Sequence, residues 1–198
     1  MSLETEVKIH IPDLSPVQTQ LITFGAVCTK TRIFERNLRY DFPGQTLAQQ
    51  GGLLRLRQDS RARVTYKGVA PQISDQTRTL LELETEVNDF DTMDTIFRKL
   101  GLEVQLIYEK FRTTYEYADT EIVLDEMPFG NFIEIEGSPN AIENVLGQLG
   151  LRDKKRILSS YVAVFEQVKT ALGLRFRDLS FDNFAGVSVP AAIFEHIR

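Results

Sequence analysis

Five stretches of this chain alternate charge with apolar residues at a period of two, and that pattern constrains the fold more than anything else in it. In Glu4-Thr5-Glu6-Val7-Lys8 the charged residues share one face of a strand, because successive side chains point to opposite sides. The same pattern recurs in Leu53-Leu54-Arg55-Leu56-Arg57, in Arg63-Val64-Thr65-Tyr66-Lys67, in Leu81-Glu82-Leu83-Glu84-Thr85-Glu86 and in Phe132-Ile133-Glu134-Ile135-Glu136. Glu84-Thr85-Glu86-Val87 repeats Glu4-Thr5-Glu6-Val7 residue for residue. Each of the three Glu-x-Glu strands precedes an expected amphipathic helix that a glycine stops. Ser15-Pro16 starts the first, which runs to Gly25. Asp91 is the expected cap of the second, which ends at Gly101, and Ser138-Pro139 starts the third, which ends at Gly150. A fourth helix is expected from about Ser159 to Leu172. The intervals between these units differ, which excludes a solenoid.

Composition narrows the function classes. With 42% apolar and 26% charged residues, a packed globular core is expected. A net charge of −5 argues against a protein that binds nucleic acid by neutralising its backbone. A single cysteine, Cys28, and two histidines, His10 and His196, exclude an internal disulfide and disfavour a Cys/His zinc site. No apolar run approaches membrane-spanning length and no signal-like segment opens the chain, so a cytoplasmic protein with no membrane partner is expected.

The strands' apolar faces match the helices' apolar stripes, so the helices should pack on one side of the sheet and leave the charged faces on the other. An open sheet would show those charges to water, whereas a sheet closed into a barrel would line its interior with them. Enclosed charges need partners. Rows of acids beside rows of bases would find them in a polyphosphate and its divalent cations, carboxylates suiting the metal and bases suiting the phosphates. A hairpin joining the second and third stretches would gather Arg55, Arg57, Arg63 and Lys67 on one surface, where like charges repel unless an anion relieves them.

Taken in order, Glu4-x-Glu6-x-Lys8, Leu54-Arg55-Leu56-Arg57, Lys67-Gly68, Glu84-x-Glu86, Lys110-x-Arg112, Leu124-Asp125-Glu126, Gly130-x-Phe132-Ile133-Glu134-Ile135-Glu136 and Ser160-Tyr161 resemble the CYTH or triphosphate tunnel metalloenzyme family. That family includes class IV adenylate cyclases, thiamine triphosphatases and inorganic tripolyphosphatases. The resemblance runs from residue 4 to about 165. It implies an α+β fold: an eight-stranded antiparallel barrel, the triphosphate tunnel, with amphipathic helices packed outside. A barrel domain over 1–173 and an extension over 174–198 docked on it are expected, Phe176, Phe181, Phe184 and Phe194 being apolar enough to hold the extension down.

By the same resemblance, Lys8, Arg55, Arg57, Lys67, Lys110 and Arg112 would grip phosphate oxygens of a small-molecule triphosphate. Glu4, Glu6, Asp125, Glu134 and Glu136 would hold Mg²⁺ or Mn²⁺. Glu84 and Glu86 are weaker candidates, and Arg63 and Glu82 read as supporting charges. A metal-dependent hydrolase of inorganic tripolyphosphate or an organic triphosphate is the leading expectation. The alternatives are a class IV cyclase making cyclic AMP and pyrophosphate from ATP, and a non-catalytic polyphosphate- or nucleotide-binding module. A homodimer is compatible with the resemblance. The chain departs from the family pattern at Leu80, where relatives often carry arginine; Arg78 lies two residues earlier.

Overall fold

A computed structural model describes residues 2–72 and 77–197, with the side chains of Ser2, Leu3 and Glu4 outside the described set. The chain runs β1 (Ser2–His10), α1 (Ser15–Thr23), β2 (Val27–Asp41), α2 (Thr46–Gln49), β3 (Leu53–Gln58), β4 (Ala62–Val69), β5 (Arg78–Val87), α3 (Phe90–Lys99), β6 (Glu103–Tyr117), β7 (Thr120–Met127), β8 (Gly130–Gly137), α4 (Pro139–Gln148) and α5 (Tyr161–Leu172). A short 3-10 turn, Ala191–Glu195, lies near the end. All eight strands pair antiparallel in the closed order β1-β5-β4-β3-β2-β6-β7-β8. The expected eight-stranded barrel is therefore the observed one. Part of the loop expected at 69–77 lies outside the described residues.

The three Glu-x-Glu strands are neighbours, in the order β8-β1-β5. The helix that follows each one closes at a glycine of positive φ: Gly25 at 90°, Gly101 at 88° and Gly150 at 65°. That left-handed geometry carries no Cβ penalty in glycine, so it ends a helix cleanly. Two helix starts differ from expectation. The residue capping α3 is Asp89, not Asp91: it has extended φ/ψ, and its carboxylate accepts the Thr92 N–H at 2.5 Å. Helix α1 is preceded by Leu14 without a side-chain cap, and Asp13 accepts the Ser15 N–H at 2.9 Å. Ser138 and Ser160 do cap α4 and α5, each accepting an N–H three residues on.

The helices pack outside the barrel in separate clusters. Leu21 of α1 and Ile142, Val145 and Leu146 of α4 bury themselves against Val7, Ile9, Ile133 and Ile135. Phe90 and Phe97 of α3 cover Leu38, Tyr40 and Leu56. A third cluster joins Val164, Phe165 and Val168 of α5 to Phe132 and to Leu179, Phe184 and Phe194 of the tail. The tail also completes the sheet. β6 pairs with β7 only over Phe111–Tyr117, leaving its first half with a free edge. Leu179 takes that edge, donating its N–H to the Ile107 carbonyl and accepting the Glu109 N–H, both at 2.9 Å.

Candidate active site

The apolar faces point outward to the helices, so alternation turns the charged faces inward around a cavity of about 630 Å³. Lys8, Lys30, Arg39, Arg55, Arg57, Arg63, Lys67, Arg78, Lys110 and Arg112 line it against Glu6, Glu35, Glu82, Glu84, Glu121, Glu134 and Glu136. Among the described residues, these ten bases against the seven acids and the Asp125 carboxylate bonded behind them leave +2 at the wall of a chain whose overall charge is −5. Enclosed walls focus that field on whatever enters.

Geometry holds the bases rigidly. Asp125 is fully buried on β7. It accepts from Arg112 Nε at 2.6 Å, Lys110 Nζ at 3.0 Å and the Tyr161 hydroxyl at 2.8 Å. Burial alone would raise its carboxyl, but Arg112 and Lys110 prevail and hold it below the usual carboxylate range. Glu134 bridges Lys8 at 3.0 Å and Arg112 at 2.7 Å; against the same burial cost, those two cations hold it well below its ordinary value. Tyr161 begins α5 and closes this end of the cavity. The Lys8 ammonium lies 4.4 Å from its ring centroid, and Lys8 also donates to the Ser159 carbonyl. Burial and the neighbouring carboxylates push the Tyr161 hydroxyl well up, so it stays protonated and donates to Asp125.

The opposite wall carries the arginines of β3 and β4. Arg55 reaches the Tyr108 hydroxyl at 3.2 Å and the Thr65 hydroxyl at 3.0 Å, and Thr65 donates to Glu84 at 2.7 Å. Arg57 lies 3.7 Å from Glu35 and directly opposite Arg63, as the hairpin pattern implied. Its Nε is buried without a hydrogen-bond partner among the described residues. Burial, and next the Arg55 charge, lower the Arg57 guanidinium from its ordinary value, so this wall is short of negative charge. Lys67 pairs with Glu82 at 3.2 Å.

Of the eleven residues singled out in sequence, nine line the cavity, and Asp125 sits behind the wall bonded to two of them. Glu4 has a side chain outside the described residues. On β5, Glu82 and Glu84 line the cavity opposite Lys67 and Thr65 of β4, whereas Glu86, opposite Arg63, is not part of the lining.

Glu35, Arg39, Glu121, Lys30 and Tyr108 escaped the sequence reading. Glu121 was findable, since it lies four residues before Asp125 and shares its face by alternation. The β2 residues were not. Lys30 lies beyond register shifts at Cys28/Lys30 and Lys30/Ile33, while Glu35 and Arg39 sit in a regular run from Ile33 to Arg39 whose other face also carries a charge, Arg36, so the inward phase was hidden.

Donor chemistry indicates what the acidic side of the cavity can hold. Glu6 lies opposite Glu136, and Glu136 opposite Glu121, so three carboxylates stand in one row across β1, β8 and β7. Among the described residues, no three His, Cys, Asp or Glu side chains form a ready-made metal cage. A facing pair of carboxylates without a cage suits Mg²⁺ or Mn²⁺, which characteristically completes its shell with water and substrate phosphate oxygens.

The family model for the CYTH domain matches residues 2–158. The chain belongs to the CYTH domain family. A protein of Methanocaldococcus jannaschii, provisionally named an adenylate cyclase, is 31% identical over 138 residues, covering 69% of this chain and 77% of the relative. Among solved structures, a Vibrio parahaemolyticus protein, also provisionally named an adenylate cyclase, superposes with a TM-score of 0.72 at 22% identity. The match covers 83% of this chain and 98% of that one. A Pyrococcus horikoshii protein gives 0.68 at 26% identity over the same shares. A Hippeastrum protein gives 0.59 at 19% identity, covering 82% and 95%; its description names a candidate adenylyl cyclase with a dominant triphosphatase activity. The CYTH fold is thus common to all of them. No helix among the described residues is long and apolar enough to cross a membrane.

Proposed function

We propose that this CYTH protein is a divalent-metal-dependent phosphohydrolase of triphosphates, with inorganic tripolyphosphate its preferred substrate. The observation that carries this reading is the inverted charge of the cavity, net positive inside an acidic chain. Lys8, Arg55, Arg57, Lys67, Lys110 and Arg112 bind the phosphate oxygens. Asp125 and Glu134 keep Lys8, Lys110 and Arg112 aimed before substrate arrives, so little reorganisation is needed in the transition state. Glu6, which Arg78 approaches to 3.7 Å, and Glu136, with Glu121 beside them, would hold Mg²⁺ or Mn²⁺; Asp125 and Glu134, held by closer bonds to Lys8, Lys110 and Arg112, would join only by yielding one of them. When bound, such a cation supplies charge neutralisation at the phosphate oxygens and activation of the nucleophile.

Hydrolysis asks less of this wall than cyclisation does. Cyclisation needs adenosine held with its 3′-hydroxyl in line with the α-phosphorus, positioning that can be worth about 7–11 kcal/mol of barrier. The cavity's aromatic side chains, Tyr108 and Tyr161, are both committed through their hydroxyls, to Arg55 and Asp125. The name carried by the M. jannaschii relative favours cyclisation as the second reading.

The test is to incubate purified protein with tripolyphosphate, ATP and thiamine triphosphate in turn, with Mg²⁺ or Mn²⁺, and separate the products. Orthophosphate from tripolyphosphate, lost with chelator and restored by metal, is the expected result. Cyclic AMP with matching pyrophosphate would establish the cyclase instead. Tight metal-dependent binding without turnover would make the protein a binding module.

A further inference from the structure

Two tyrosines line the cavity, and their hydroxyls are used in opposite senses. The Tyr161 phenol gives its hydrogen to the Asp125 carboxylate at 2.8 Å. Tyr108 uses its oxygen instead, accepting Arg55 Nη1 at 3.2 Å. Among the described residues, no acceptor lies within hydrogen-bond distance for its own hydrogen. Asn37 stands beside it on β2, fully buried, but neither polar atom of that amide makes a hydrogen bond. The Tyr108 ring is buried in the cluster of Phe129, Phe132, Tyr161 and Leu179, which fixes its place at the wall. An enclosed O–H without an acceptor is costly, which indicates that what enters the cavity supplies one.

The two phenols also differ in acidity. Burial would raise both. Around Tyr108 the cations of Arg55, Arg57 and Lys110 outweigh burial and hold the phenol below its ordinary value. Around Tyr161 the Asp125 and Glu134 carboxylates add to burial and push it well up. Arg39 of β2 is a further cation beside Tyr108. The acids near these cations are already paired: Glu35 with Arg57 and Lys110, Glu84 with Arg55 and the Thr65 hydroxyl. From the tail, Asp178 is taken up by the Ile107 N–H and Arg177. Where one site pushes two like groups apart in acidity, the pair divides into a fixed donor and a group suited to proton transfer.

We propose that Tyr108 is the catalytic proton donor of this cavity, protonating the oxygen of the departing phosphate group while Arg55 holds the phenolate that remains. The proposal rests on the hydrolase reading above and names the acid for it. Arg55, Arg57 and Lys110 are three of the six bases given there to phosphate oxygens, so the chain they hold lies against the Tyr108 hydroxyl. Water forms a new bond to the phosphorus it attacks, and the bridging P–O bond breaks with its electron pair on the bridging oxygen. The Tyr108 proton passes to that oxygen. A proton from the attacking water restores the phenol through solvent, so the cycle consumes only water. The Arg55 N–H already points at the phenol oxygen, where negative charge appears when the proton leaves.

The test is the pH dependence of kcat for tripolyphosphate with Mg²⁺, with calorimetric Kd values alongside, on three proteins. These are the wild type, Tyr108→Phe, and the full chain with Tyr108 replaced by 3-fluorotyrosine, which keeps the shape and makes the phenol more acidic. Tyr108→Phe should lower kcat about 100-fold or more, the usual worth of a positioned acid, while Kd changes by about threefold at most. An acid must be protonated to act, so wild-type kcat should fall on the alkaline side, and that limb should vanish in Tyr108→Phe. Fluorotyrosine should keep the limb and move it to lower pH, which a purely structural role would not do. Turnover of Tyr108→Phe within about threefold of wild type overturns the proposal. So does an alkaline limb that fluorotyrosine leaves in place, a result that stands even if the Phe variant fails to fold. A wild type that binds tripolyphosphate without hydrolysing it refutes the hydrolase reading, and the acid with it. Hydrolysis indifferent to both replacements refutes the role of Tyr108 alone.

Discussion

Glu35 is a carboxylate that burial would penalise, with 2% of its surface exposed, yet it stays ionised. The burial cost is outweighed by Lys110 at 3.6 Å and Arg57 at 3.7 Å, and its pKa falls from 4.5 to about 2. Because the folded-state value is depressed, this contribution is fully present above pH 4.5 and is lost as pH falls towards 2. Across that window the unfolded chain binds the extra proton, so stability rises with pH. The shift corresponds to about 3 kcal/mol at most. Glu35→Gln should therefore flatten the acid limb of the stability profile between pH 4.5 and 2, and lower stability at pH 7 by leaving Arg57 and Lys110 under-compensated. Urea unfolding at a series of pH values measures both. An acid limb as steep as that of the wild type would mean that Glu35 does not titrate in that range. Glu35 was not legible as a site residue, since its importance comes from bases on β3 and β6, far away in sequence.

At the scale of elements, α5 and the tail close the barrel as well as cover it. Leu179 is wholly buried and supplies the backbone groups that complete the free edge of β6. Its neighbours in that edge bracket Tyr108, whose hydroxyl meets Arg55 in the cavity. Leu179→Ala should cost about 2–5 kcal/mol by chemical denaturation, the range for a buried leucine that leaves a cavity. A change under about 1 kcal/mol would mean that the tail folds back loosely and contributes little to the core. The apolar weight of Phe176, Phe184 and Phe194 was visible in the sequence. The edge they bring Leu179 to was not, because it exists only where β7 stops pairing at Phe111.

For the whole molecule, a barrel that gathers ten bases and seven acids in its wall among the described residues is under internal electrostatic tension. A ligand that binds only the folded state stabilises it by mass action. Tripolyphosphate with Mg²⁺ at a hundredfold its Kd should thus add about 2.7 kcal/mol. Arg57→Ala should shrink the rise in melting temperature at a fixed ligand concentration, since it removes a wall base with an unpartnered Nε. No rise in the wild type at saturating ligand and metal would remove the basis for a phosphate-binding cavity.

The outward helices and the charged inner faces were legible in the two-residue alternation, because three amphipathic helices must cover the apolar face. That pattern allowed an open sheet as well as a barrel, and the closed barrel was implied by the resemblance of the ordered motifs to the CYTH family. What the sequence could not determine was which charge meets which. Three similar Glu-x-Glu strands lie side by side, but register sets Glu6 between Glu136 and Arg78 and sets Glu82 against Lys67, so acids alike in sequence meet different charges. On β2 a regular register from Ile33 to Arg39 turns Glu35 and Arg39 inward, a phase that charges on both faces of the strand hide in the sequence. Such pairings depend on shear around a closed ring, a property of all eight strands together, and only the tertiary structure could determine them.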